Sequence, residues 1–137
     1  MKIIHPPDWA RLRGYSHGVI AEGPTVYLAG QVGVPAKDGW QPEVEGAVSP
    51  RFDEQFRQVL VNIVDLLAEA GAKPSHIVKL TWFITDKAAY FASLKAMGTI
   101  YKEIIGEHYP AMSVIEVHGL VQPGAMIEIE ATAVIAD

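Results

Sequence analysis

SPRFDEQFRQVLVNIVDLLAEAG, residues 49–71, is followed by HIVKLTWFI, residues 76–84, and this pair decides the fold class. In the first stretch Phe52, Phe56, Val59, Leu60, Ile63, Val64 and Leu67 recur at helical spacing and form one apolar stripe. Such a stripe marks a helix that packs by one face. Ser49 is placed to cap it, Pro50 suits the first turn, and Asp53 and Glu54 complement the dipole there. Gly71 supplies the stop. The second stretch is rich in β-branched and aromatic residues and reads as a strand.

Upstream, residues 1–13 carry Pro6 and Pro7 and little periodicity, so an irregular lead-in is expected. YSHGVIAEGPTVYLAGQV then gives two short apolar runs broken at Glu22-Gly23-Pro24, a hairpin signal. VPAKDGWQP, punctuated by Pro35, Asp38-Gly39 and Pro42, reads as a loop. Downstream, Asp86 begins a second helix with Tyr90, Leu94, Met97, Tyr101 and Ile104 on one side and Gly106 after it. MSVIEVH and AMIEIEATAVI finish the chain as strands joined through a Pro-Gly turn.

The predicted order is ββαβαββ, an α/β (α+β) chain in which two helices cover one face of a mixed sheet. The other face must meet water or another subunit. Its candidates are mixed: Val114 and Val134 among Glu116, His118, Glu128, Glu130 and Thr132. Such a face suits a subunit interface with polar sites built into it.

Composition bounds the function. A chain of 137 residues, 50% apolar and 20% charged, makes one domain with a core of its own. The absence of cysteine excludes a disulfide scaffold, a thiolate nucleophile and a Cys-ligated zinc site, and it fits a reducing, cytoplasmic setting. No stretch reads as a signal peptide or membrane span. The formal net charge is −5 and the basic residues are scattered, which argues against nucleic acid as a partner.

Strong catalytic motifs are absent: no GxGxxG, no P-loop, no GxSxG and no HExxH. The five histidines lack metal-ligand spacing, and Glu116 with His118 is better read as a hydrated strand face than as a metal seed. Glu128 and Glu130 share a strand face about 6.6 Å apart, a pair suited to acid/base work where crowding raises one carboxyl pKa, or simply exposed glutamates of an amphipathic strand, the better reading for Glu130. Tyr15, Ser16 and His17 follow Arg11 and Arg13, placing a phenol, a hydroxyl, an imidazole and two guanidiniums in one short stretch, which suits either a polar pocket or a plain surface edge. Gly30 and Gly33 interrupt a good strand, as at a bulge or a close backbone approach. Trp82 and the helix aromatics are most simply core.

GYSHG, VYLAGQVGVPAKDGW, AGAKPSHIVKLTWFITDKAAYF, YPAMSVIEV and MIEIEATAV, in this order, resemble the Rid family, also called YjgF or endoribonuclease L-PSP. The likeness runs from Gly14 to Val134. It implies a chorismate-mutase-like fold and a homotrimer with clefts between neighbouring subunits, where a small-molecule ligand would bind. It further implies hydrolysis of reactive enamines and imines to 2-keto acids and ammonia without a cofactor. By the same resemblance Tyr15 matches the family tyrosine that closes the pocket. Gly30 matches the glycine of its Ser-Gly-Gln stretch, and Glu128 the glutamate that positions water.

Three positions depart from the family pattern. Its Pro-Ala-Arg-Ser is Pro110-Ala111-Met112-Ser113 here, Ala29 replaces the serine of Ser-Gly-Gln, and Val114 stands where cysteine is frequent. A methionine cannot hold a carboxylate, whereas a bidentate arginine pair is worth a few kcal/mol, roughly two orders of magnitude in binding. Weak or no turnover of small 2-imino acids is therefore expected. Three readings follow. The first is a hydrolase of another imine or enamine, with Arg13 or His17 replacing the lost cation. The second is a non-catalytic trimer that binds a metabolite or protein. The third, ranked last on charge, is the endoribonuclease or translation inhibitor of the older family label.

Overall fold

A computed structural model describes residues 1–40 and 42–136, so Gln41, within the expected loop, lies outside the described residues. The strands are β1 (Lys2–Ile4), β2 (Gly18–Ile20), β3 (Thr25–Val32), β4 (Ile77–Ile84), β5 (Ala111–Glu116) and β6 (Ile127–Val134). The helices are α1 (Phe52–Glu69), α2 (Lys87–Ala92) and α3 (Leu94–Ile104). β1 and β2 form a two-stranded ribbon, and the main sheet has the order β3-β6-β4-β5. Only β4 and β5 run parallel in it, and they are joined by the crossover through α2 and α3.

The expected mixed sheet with helices on one face is found. β6 alternates strictly: Ile127, Ile129, Ala131 and Ala133 are buried, and Glu128, Glu130 and Thr132 lie on the opposite face. The buried set packs with Leu80, Trp82 and Ile84 of β4 against Phe52, Phe56, Val59, Leu60, Ile63 and Leu67 of α1. Met97, Ile100 and Tyr101 of α3 complete the core, and Arg57 pairs with Glu103 across the two helices.

Several local expectations are corrected. The lead-in is not wholly irregular: β1 lies in it and pairs antiparallel with β2. The hairpin at Glu22–Pro24 is therefore not formed as a pair, because β3 instead takes the edge beside β6. Long-range ladder partners outcompeted the local turn signal. Arg51 rather than Ser49 holds the N-cap position of α1. The Ser49 hydroxyl accepts from Arg51 N at 3.1 Å and donates to Glu54. The second helix is interrupted at Ser93, whose N–H is shared between the carbonyls of Ala89 and Tyr90. Asp86 does cap α2, accepting from Ala89 N at 3.0 Å, and Gly71 and Gly106 end their helices at φ 76° and 95°.

The largest correction concerns β5. Its parallel register sets Met112 beside Leu80 and Val114 beside Trp82, so Val114 stands on the helix face rather than the open one. Val134 does keep the open-face parity of Glu128, Glu130 and Thr132, opposite Thr25, though it is buried there. Alternation tells which residues share a face; only the ladder partner tells which face. The open face is mixed as expected, but its other apolar members are Tyr27, Phe83 and Ile115, among Thr81, Ser113, Glu128, Glu130 and Thr132.

Candidate active site

The segment before β2 is tied to the edge of the main sheet. Ser16 N donates to Pro110 O at 3.0 Å, the Ser16 hydroxyl donates to Tyr109 O at 2.5 Å, and Ser16 forms a parallel bridge with Ala111. These bonds carry Arg13 and Tyr15 to the start of β5, beside Met112. Between this segment, β5 and the helices opens a cavity of about 530 Å³. Arg13, Tyr15, Trp82, Tyr90, Leu94, Met97, Tyr101, Tyr109, Met112 and Val114 line it. Met112 is half-buried, and Arg13 is the one charged side chain among the lining residues.

The walls are aromatic and largely uncharged. Tyr101 and Tyr109 stack with centroids 5.5 Å apart and planes 12° from parallel. Burial pushes the Tyr101 phenol up, with Tyr109 adding to the shift, and burial alone raises Tyr90. Both stay neutral over the ordinary range. The Tyr101 hydroxyl donates to His108 O. Trp82 packs on Phe56 at 5.1 Å, and its buried Nε1 has no hydrogen-bond partner among the described residues.

Glu128 lies elsewhere. The β3–β6 register shifts between Leu28 and Gln31, so Ala29 and Gly30 fall out of the ladder as a bulge. Glu128 folds over Gly30: a Cβ on that glycine would stand 2.4 Å from Glu128 Oε2 and 2.9 Å from its Cγ. This is the close approach that a glycine in a strand signals. Gln31 Nε2 donates to Ala29 O at 3.2 Å and stiffens the bulge. The Glu128 carboxylate makes no hydrogen bond or ion pair with the described residues. Desolvation first, and Glu130 second, raise its pKa above the ordinary carboxylate range. It faces a cavity of about 410 Å³ with Gly30, Gln31, Trp40 and Val121.

Two buried amides missed by the sequence reading shape the loops here. Asn62 Nδ2 donates to Val34 O at 2.8 Å, and its Oδ1 accepts from Ala36 N at 3.2 Å. Gln55 Nε2 donates to Ser49 O at 2.7 Å and Gly124 O at 3.0 Å, while its Oε1 accepts from Met126 N at 2.8 Å. Both sit on the apolar stripe of α1, and a polar residue inside such a stripe was the available signal. Tyr90, Tyr101 and Tyr109 were missed as cavity walls because helix and pre-strand aromatics read as core.

The sheet thus divides the sequence-derived site in two. Arg13, Tyr15, Met112 and Val114 share the first cavity, whereas Gly30 and Glu128 share the second. Ala29 lies exposed at the bulge. Ser113 points away from Met112 and Val114, on the open face, where Lys79 Nζ reaches its hydroxyl at 3.5 Å. His17 is not in the first cavity; it joins a cluster of rings, 4.8 Å from Trp9 and 5.9 Å from Tyr15. Glu116 is occupied at the start of α2, accepting from Lys87 N at 3.0 Å. Among the described residues no cluster of His, Cys, Asp or Glu has the makings of a metal site. No described helix is long and apolar enough to cross a membrane.

A mixed four-stranded sheet with helices on one face, a bulged edge strand and a cavity beside the penultimate strand define a small α+β protein of the Rid type. The chain belongs to the Endoribonuclease L-PSP (Rid/YjgF) family, whose sequence profile matches residues 8–135. The human 2-iminobutanoate/2-iminopropanoate deaminase is 31% identical over 120 residues, covering 88% of this chain and 79% of that protein. A RutC family protein of Pyrococcus abyssi is 32% identical over 114 residues, covering 83% of this chain and 81% of its own length. Among solved structures, a Rid-family protein of unknown function from Yersinia pestis superposes with TM-score 0.81 at 33% identity, covering 98% of both chains.

Proposed function

We propose that this chain is an imine or enamine hydrolase whose substrate differs from the small 2-imino acids named for its deaminase relatives. The carrying observation is that Met112 lines an aromatic cavity whose one charged side chain is Arg13; by the family resemblance Met112 stands where a carboxylate-binding arginine would. A carboxylate placed against Met112 would lose its water and gain no partner.

Glu128 is the group for water. It is a desolvated carboxylate with no internal partner, facing a cavity beside a bulge that frees backbone groups. As the water oxygen bonds to the imine carbon, the C=N π pair moves to nitrogen. Glu128 accepts a proton from the water and returns it to that nitrogen. The carbinolamine then passes its hydroxyl proton to nitrogen, the C–N bond breaks, and a carbonyl and ammonia leave.

Glu128 and the Met112 cavity lie on opposite faces of one sheet, so a single chain does not join them. A homotrimer, in which one copy lends Glu128 and Gly30 to the next copy's Tyr15 and Met112, resolves the division. The mixed open face, with Tyr27, Phe83 and Ile115 among polar groups, fits such packing.

Ammonia release from imines made in situ by an amino-acid oxidase tests the reading. The wild type is expected to turn over some imine, with Glu128→Gln lowering kcat about a hundredfold or more at unchanged affinity for the keto product. Because Glu128 must be ionised and its pKa is raised, kcat/KM should fall on acidification at a pH above the usual carboxylate range. On 2-iminobutanoate the wild type should be slow, and Met112→Arg should gain at least about tenfold. A wild type inert on every imine, or a Glu128→Gln protein that keeps full activity, would sink the assignment.

A further inference from the structure

We infer that the first cavity takes a 2-imino acid with an aromatic side chain, its carboxylate held by Arg13 at the rim and its ring among the cavity's own rings. This rests on the imine-hydrolase reading above and names its substrate class.

Three observations carry it. The cavity, about 530 Å³, is of the size that encloses a small organic ligand. Its lining is built of rings, with Tyr15, Trp82, Tyr90 and Tyr109 presenting faces and edges suited to another aromatic group. Met112 adds a thioether, which packs well on an aromatic ring and adapts to its shape. The loss of arginine at this position is thus a gain of apolar wall in the place where a short substrate would have kept its charge.

The charge reappears at Arg13. Among the described residues it is the only cation lining the cavity, it is exposed, and it forms no ion pair. Arg51 and Arg57 are committed, to Asp53 and to Glu103, and Arg11 does not line the cavity. Tyr90 and Tyr101 are neutral phenols whose ionisation burial makes harder still, so they do not repel a carboxylate. The Ser16 bonds to Tyr109 and Pro110 fix the segment that carries Arg13 at the cavity mouth. An anionic head and an aromatic body are what this arrangement recognises.

The test compares imines generated in situ from phenylalanine, tryptophan and 2-aminobutyrate, with wild type, Arg13→Ala and Arg13→Lys. Phenylpyruvate and 2-ketobutyrate binding is measured calorimetrically in parallel. The aromatic imines should be preferred by about ten- to a hundredfold in kcat/KM. Arg13→Ala should raise KM for them roughly tenfold or more with kcat nearly unchanged, and Arg13→Lys should restore part of it. Turnover with 2-iminobutanoate as good as the aromatic imines overturns the substrate class while leaving the hydrolase reading intact. If no imine is turned over, phenylpyruvate binding that Arg13→Ala weakens still supports the cavity assignment. No binding of phenylpyruvate, or binding indifferent to Arg13, overturns it.

Discussion

Gly30 and Glu128 are one device. The carboxylate can fold over the strand only because residue 30 has no Cβ; one placed there would meet Glu128 Oε2 at 2.4 Å. Gly30→Ala should therefore displace the carboxylate while the rest of the chain keeps its packing. A kcat loss of roughly ten- to a hundredfold is expected, with a melting temperature within a few degrees of wild type. Steady-state kinetics and a thermal melt check both. This residue was legible in the sequence, since a glycine in a strand announces a bulge or a close approach, and both occur. The family resemblance singled out Met112, but not as a wall of an aromatic cavity. That needed the β4–β5 register, which no local pattern encodes. Arg13 and His17 looked equivalent by nearness to Tyr15; three-dimensional packing sent His17 to Trp9 and left Arg13 at the cavity.

Among the elements, α1 does more than cover the sheet. Its buried face carries Gln55 and Asn62, which tie down the loops at residues 32–36, 46–50 and 122–126. Gln55 spans two of those loops with three bonds, so Gln55→Ala leaves a cavity and several unpaired backbone groups. It should cost about 2–4 kcal/mol in chemical denaturation. A loss under about 1 kcal/mol would mean that water replaces the side chain. The helix itself was plain from its apolar stripe, as were β4 and the helix-ending glycines Gly71 and Gly106. What local signals misjudged were choices between partners. Residues Glu22–Pro24 promised a hairpin, yet β2 pairs with β1 and β3 with β6. The apolar face from Tyr90 to Ile104 promised one helix, yet Ser93 breaks it in two. Periodicity sees neither a distant strand nor a one-residue interruption that preserves the face.

At the scale of the whole molecule, the sheet separates what the proposed chemistry must unite. Glu128 and Gly30 lie on one side, and Arg13, Tyr15 and Met112 on the other. The proposed remedy is a second copy of the chain, with the open face, rather than the helix face, turned inward. Subunit mixing tests this directly. One preparation carries Glu128→Gln and the other carries Arg13→Ala with Tyr15→Ala, each assayed alone at substrate well below the wild-type KM, where both are expected to be weak. They are unfolded and refolded together in equal amounts, and turnover is measured on the best imine of the wild type. If each cleft draws Glu128 from one copy and its cavity from the next, about a quarter of the clefts regain a complete set. Activity should then return to about a quarter of wild type. Mixtures no more active than the separate variants would place both groups in one chain's site and contradict the shared cleft.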